Sequence, residues 1–168
     1  CPESEHRYFV REATTMTTIT LHELLDSHNI QYIRIIHTPA YTAQETAAIA
    51  HVSGWEMAKS VMVKIDGRMA MTVLPAPCRL SLQRLRDATG AANVELASED
   101  EFRQMFPGCE IGAMPPFGNI YGMDVYVDEA LADDEQITFN AGTHTELIRL
   151  RYKDFCSLAH PQQEKIAA

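Results

Sequence analysis

Asp66-Gly67 stands between two apolar runs, Ser60–Asp66 and Met69–Leu74. A two-residue Asp-Gly link between such runs predicts a tight antiparallel hairpin, because both residue types tolerate positive φ. The remaining elements must then be built around this ribbon. Further strands are expected at Ile30–Ile36, Asn93–Leu96, Met123–Val127, Ile137–Phe139 and Glu146–Leu150. Three helix starts share a hydroxyl residue followed three positions later by Glu: Thr20–Glu23, Thr42–Glu45 and Ser98–Glu101. In each, the hydroxyl accepts from an orphan amide while the Glu reaches back to the cap. They open helices over Leu21–His28, Ala43–Val52 and a stretch ending near Met105, before Pro107-Gly108. A fourth helix, Leu82–Ala88, stops at Gly90, and a last one covers Lys153–Ala159 before Pro161. The pattern predicts a single α+β domain with a hairpin-rich, mixed sheet.

With 168 residues, 46% of them hydrophobic, the chain can build one core. Polar residues 1–15, opening on Cys1, contain no apolar signal core and are read as an extension. The domain is assigned to 16–160 and a flexible tail to 161–168. No apolar run reaches the roughly 18–20 residues of a membrane span. Cys1, Cys78, Cys109 and Cys156 lie far apart without a CxxC, so a reducing cytoplasm is expected rather than a disulfide framework or zinc knuckle. The net charge of −9 argues against nonspecific DNA binding. Charge is uneven, however: Lys59, Lys64, Arg68, Arg79, Arg84 and Arg86 face one acid, Asp66, across residues 59–86. Residues 93–135 carry eleven acids and one base. A local positive field at one end of the domain is one reading; solvated charged faces are the other.

Three places can carry chemistry. Lys59 shares strand parity with Val61, Val63 and Ile65, which points it along the core edge toward a pocket mouth, with Lys64 and Met62 on the other face. A lysine there needs an anion or loses charge, unless its stem carries the ammonium to water. The loop Gly112-Ala-Met-Pro-Pro-Phe-Gly118 brackets two prolines with glycines and can bring backbone N–H groups close to a ligand. It lacks the phosphate-loop pattern. Asn140-Ala-Gly142-Thr-His144 can set an imidazole beside exposed amides. There is no HExxH, no G-x-S-x-G and no closely spaced ligand set, so no metal or other cofactor is expected.

Taken in order, His37-Thr-Pro39, Thr42-Ala-Gln-Glu45, Ala58-Lys59-Ser60-Val-Met-Val63, Asp66-Gly67, Val73-Leu-Pro75, Gly112…Pro116-Phe-Gly118, Val127-Asp128 and Asn140-Ala-Gly142-Thr-His144 form one series. The series resembles the YbaK/prolyl-tRNA-synthetase-associated editing domain family, from about Thr20 to Leu158. The resemblance implies an α+β domain with a mixed, partly closed sheet wrapped by helices. It also implies hydrolysis of the ester that joins a wrong amino acid to the 3′-terminal adenosine of a tRNA. Lys59 takes the position of the lysine needed for activity, and Gly112, Gly142 and His144 complete the implied catalytic set. Ser60, Pro116, Phe117, Gly118 and Asn140 would line the substrate. The Gly-x-His pattern tilts the substrate toward alanyl-tRNA(Pro).

The corresponding expectations are physical. Lys59 would hold the phosphate or sugar of the terminal adenosine, His144 would orient the aminoacyl group, and amides near Gly112 and Gly142 would stabilise the oxyanion. Lys64, Arg68, Arg79, Arg84 and Arg86 would touch the acceptor-stem backbone, with weak, salt-sensitive binding. A synthetase or an elongation factor is the class of partner that would recruit the protein. The competing readings are a deacylase for cysteine, serine or threonine, a binding module without turnover, and a thiol enzyme built on Cys78.

Overall fold

The structure, a computed structural model, describes residues 21–168. The expected extension over 1–15, the domain start at 16 and the helix cap at Thr20 lie outside them. Asp66 and Gly67 take φ of 50° and 82° and turn β2 (Ala58–Ile65) back onto β3 (Arg68–Pro75), with Ala58 opposite Pro75 and Ile65 opposite Arg68. The Asp66 carboxylate also accepts from the amides of Ala92 and Asn93, which brings β4 (Val94–Leu96) alongside β2.

Parallel pairing extends the hairpin on its other side, through β5 (Asp124–Asp128) to β8 (Gln162–Glu164), giving the order β4-β2-β3-β5-β8. A second, antiparallel sheet has the order β1-β7-β6, from Ile33–Ile36, Glu146–Arg151 and Gln136–Asn140. The two sheets meet at a parallel bridge between Met57 and Thr138. Among the described residues five α-helices surround them: α1 (Leu21–Ser27), α2 (Ala43–Ile49), α3 (Leu82–Thr89), α4 (Glu99–Phe102) and α5 (Tyr152–Ala159). The capping logic is visible in them. Thr42 accepts from the Glu45 amide at 3.1 Å, Ser98 and Glu101 close a capping box, and Gly90 ends α3 with φ 70°.

Both faces of β2 are buried, where parity predicted one inward face. Ala58 and Met62 enter the main core with Phe117, Phe139 and Phe155, while Val63 packs with Leu74, Leu85, Tyr126 and Ile166. The strand expected from Ile30 begins at Ile33, because Asn29 has φ 54° and the Ile30 amide bonds back to Leu25 O. The helix expected through Met105 is α only to Phe102 and tightens to a 3₁₀ turn over Arg103–Met105. The tail over 161–168, expected to be flexible, is packed. Ile166 is fully buried, and the buried Asp128 carboxylate accepts from the amides of Ile166 and Ala167 at 3.0 and 2.9 Å. No helix among the described residues is long and apolar enough to cross a membrane.

Candidate active site

Three loops converge at the mouth of the second sheet. The loop after β1 is tied to the loop before β7 by the His37 amide on Thr145 O (2.9 Å) and the Ala40 amide on His144 O (3.3 Å). The segment 110–114 joins from the other side, since Glu110 N–H donates to Gly142 O at 2.8 Å and Gly142 N–H to Ala113 O at 2.9 Å. His144 sits at their centre, 9% exposed. Its amide donates to Glu110 Oε2 at 2.7 Å and its Nε2 lies 2.9 Å from Ile111 O. A carbonyl can only accept, so Nε2 carries a hydrogen, and Nδ1 is the nitrogen left free of this contact. The Tyr41 ring covers the imidazole at 4.9 Å while remaining 71% exposed.

Gly112, with φ 88°, lies against the imidazole; a Cβ there would stand 3.4 Å from His144 Cε1. Its N–H points at Met114 Sδ at 3.2 Å, a weak acceptor that a stronger one can displace. The Gly142 amide differs, because its bond to Ala113 O takes it out of use as an oxyanion donor. Gly142 instead serves through its φ of 98° and its close approach to Cys109 Sγ.

Lys59 lies near the open end of the β2–β3 hairpin. Nζ donates to Ala76 O at 3.0 Å, and among the described residues it has no carboxylate partner. Burial holds its pKa below the ordinary lysine value; Arg79 adds to this and a Cys78 thiolate would oppose it. The parallel bridge Met57–Thr138 places Lys59 and Asn140, each two residues further on, on one face of the joint between the sheets. Asn140 Oδ1 is buried there without a hydrogen-bond partner. Ser60 faces the other way, its hydroxyl donating to Met114 O at 3.3 Å. No hydrogen bond joins Lys59 directly to His144; Asn140 ends β6, and the loop that follows it carries His144.

Several expected site residues have other work. Phe117 is fully buried and packs edge-on against Phe139 and Phe155, each at 5.5 Å, and Pro116 is buried beside it. Gly118 is a packing glycine, since a Cβ would come within 3.1 Å of Met71 Cβ. The basic set does not form one patch. Lys64 is paired with Glu95 at 3.1 Å and Glu101 at 2.5 Å, and that pairing holds the Glu101 pKa down to about 2. Arg84 donates to Ala167 O at 2.7 Å and Arg86 to Gln83 at 3.3 Å. Arg68 starts β3 at the turn end, whereas Lys59 and Arg79 belong to the open end, some 20 Å away at about 3.3 Å per residue.

Sequence reasoning passed over Glu110, Tyr41 and Met114, because their parts in the site come from contacts across the loops. It also passed over Glu146, which pairs with His22 and with Arg34 at 2.9 Å. Glu146 edges a 220 Å³ cleft with Cys109, Pro115, Tyr121 and Gly142. Burial tends to raise the Glu146 pKa, but Arg34 and His22 outweigh it and hold the carboxylate below its ordinary value. Cys78, Cys109 and Cys156 are free thiols, and burial pushes all three upward in pKa, which disfavours the thiolate a thiol enzyme would need.

Comparison with known proteins places this geometry. Proline–tRNA ligases of Bacillus mycoides (strain KBAB4) and Bacillus cereus (strain AH187) are each 26% identical over 98 residues, covering 58% of this chain and 17% of the ligase. The chain thus corresponds to less than a fifth of those relatives' length. A crystal structure of a candidate trans-editing enzyme for prolyl tRNA synthetase shares the fold, with TM-score 0.72 and 22% identity over 86% of this chain and 92% of that one. That of the hypothetical protein APE2540 superimposes with TM-score 0.79 at 20% identity, covering 88% and 99%. The family description "Aminoacyl-tRNA editing domain" matches residues 37–158, a stretch that contains Lys59, the Gly112 loop and His144. The chain belongs to the aminoacyl-tRNA editing domain family.

Proposed function

We propose that the protein is an aminoacyl-tRNA deacylase that hydrolyses the ester of a mischarged tRNA, alanyl-tRNA(Pro) in particular. The observation that carries this reading is the fixed imidazole. His144 Nε2–H is held by Ile111 O beside Gly112, which leaves Nδ1 to accept from the substrate amine or from water. The Gly112 N–H, resting on a thioether, is the oxyanion donor in this reading. An aminoacyl ester is already labile, so a thousandfold acceleration, about 4 kcal/mol, suffices. One well-placed oxyanion donor supplies about 2.7–4 kcal/mol.

Lys59 spends one of three N–H donors on Ala76 O, and the other two serve the phosphate or ribose of the terminal adenosine. Asn140 Oδ1, a buried acceptor that costs about 1–3 kcal/mol unsatisfied, takes a ribose hydroxyl hydrogen from the same end of the substrate. The ribose 2′-hydroxyl helps to activate the water, as the family resemblance implies. The alanine and tRNA(Pro) assignment is supported by Gly142-x-His144 and by the relatives being proline–tRNA ligases. Discrimination would be steric, because a synthetase gains only about 1–3 kcal/mol from one methylene.

The test is single-turnover deacylation across a panel of alanyl-, seryl-, threonyl- and cysteinyl-tRNAs, with Lys59→Ala and His144→Ala in parallel. Rapid hydrolysis of alanyl-tRNA(Pro), slowed in both variants, is expected. Binding without hydrolysis would replace the enzyme with a sensor, and preference for another amino acid would reassign the substrate.

A further inference from the structure

Trp55, the chain's single tryptophan, lies between α2 and β2 and is 56% exposed. It edges a shallow groove of about 390 Å³ whose other walls are Ala47, Ala48, Val52, Gly54 and Pro77, with Gln44 the one polar side chain among them. That volume lies within the roughly 300–1,000 Å³ of small-ligand sites. The groove adjoins the Lys59 end of the hairpin through the backbone. Gly54 O accepts from the Ala76 amide at 3.1 Å, and Ala76 O accepts from Lys59 Nζ at 3.0 Å. Arg79 is near enough to repel the Lys59 charge, and among the described residues neither cation is in an ion pair. Trp55 also edges a second, charged cleft, where Asp128, Glu129 and Asp133 stand with Arg84 and Lys165.

We propose that Trp55 is a stacking platform for an unpaired nucleobase at the 3′ end of the tRNA, with Lys59 and Arg79 holding the adjoining phosphate. The inference rests on the deacylase reading above and adds to it a positioning residue remote from His144. An aromatic face beside an uncharged wall suits a base, because stacking is sequence-tolerant and needs no hydrogen-bond readout. The paired cations suit the phosphate that follows. A second copy of the chain is the other occupant an apolar face admits, and the test below separates the two.

The lone indole gives the test directly. Its fluorescence is titrated with a 5′-phosphorylated CCA trinucleotide and with an acceptor-stem minihelix ending in CCA. Saturable quenching is expected, weakened by salt and by Arg79→Ala. In deacylation, Trp55→Ala is expected to raise KM by about 5–150-fold, the loss of one base stack, with kcat retained and Trp55→Phe restoring most of the loss. Circular dichroism checks that both variants fold. Deacylation by the wild type with silent fluorescence, or an unchanged KM in Trp55→Ala, would overturn the stacking role and leave the deacylase reading standing. Quenching by CCA without hydrolysis of any aminoacyl-tRNA would support the nucleotide subsite and remove the deacylase reading. A concentration-dependent dimer abolished by Trp55→Ala, with no quenching, would reassign the face to self-association.

Discussion

Replacing Gly112 with alanine separates backbone strain from damage to the site. At φ 88° an L-residue is disfavoured by roughly 1–2 kcal/mol. For a chain of this size that lowers Tm by about 2–8 °C, at roughly 2–4 °C per kcal/mol. Gly67 is the control, because it has φ 82° and a methyl added to its Cα would meet nothing within 4 Å, so Gly67→Ala carries the strain alone. At Gly112 the methyl would touch the imidazole, 3.4 Å from Cε1 and 3.8 Å from Nε2. Relaxation toward negative φ would move both the Gly112 N–H and the Ile111 carbonyl that fixes the ring. A misplacement of about 1 Å costs roughly a hundredfold in rate. Thermal melts should therefore fall alike in the two variants, while single-turnover deacylation falls about a hundredfold in Gly112→Ala and holds in Gly67→Ala. Equal melts with wild-type turnover in both would refute the argument that Gly112 positions the reacting groups.

Phe117→Ala should cost about 3–5 kcal/mol in urea unfolding, as removal of a fully buried ring does. Gly118→Ala, with a Cβ 3.1 Å from Met71, should cost about 1–3 kcal/mol and leave turnover per folded molecule unchanged. Ile166→Ala should cost about 2–5 kcal/mol, against at most a few tenths for a frayed tail. Glu146 has a folded pKa below its unfolded value near 4.3, so its contribution is complete above that pH and fades as pH falls through the folded pKa. Arg34→Ala should therefore raise the midpoint of acid unfolding followed by circular dichroism.

The local chemistry of the fold was legible in the sequence. Asp66-Gly67 announced the hairpin, Thr42 and Ser98 the helix starts, and Gly90 a helix end, because each acts over four residues or fewer. Burial was less legible. Parity could sort Lys59 from Ser60 but could not foresee that both faces of β2 find a core, since that depends on helices and loops far away in the chain. In the Gly112–Gly118 loop, the bracketing glycines suggested ligand contact at both ends, and the resemblance added Pro116 and Phe117. The three-dimensional path divides it, with Gly112 at His144 and Phe117 among the core aromatics. The basic residues misled for a related reason. Lys64 meets Glu95 and Glu101 from outside the run, so proximity in sequence did not become a shared field.

The joint between the sheets has a consequence for the cation at the hairpin's end. Thr138 N–H donates to Glu56 O at 3.1 Å, while the Glu56 carboxylate holds Arg149, whose Nε reaches the Thr138 hydroxyl at 3.4 Å. These three side chains clasp the strands in phase, like the teeth of two meshed gears. A slip of one tooth would turn Lys59 over, away from Asn140. Glu56 and Arg149, which meet no reacting atom, thereby keep the ammonium and the amide oxygen in step.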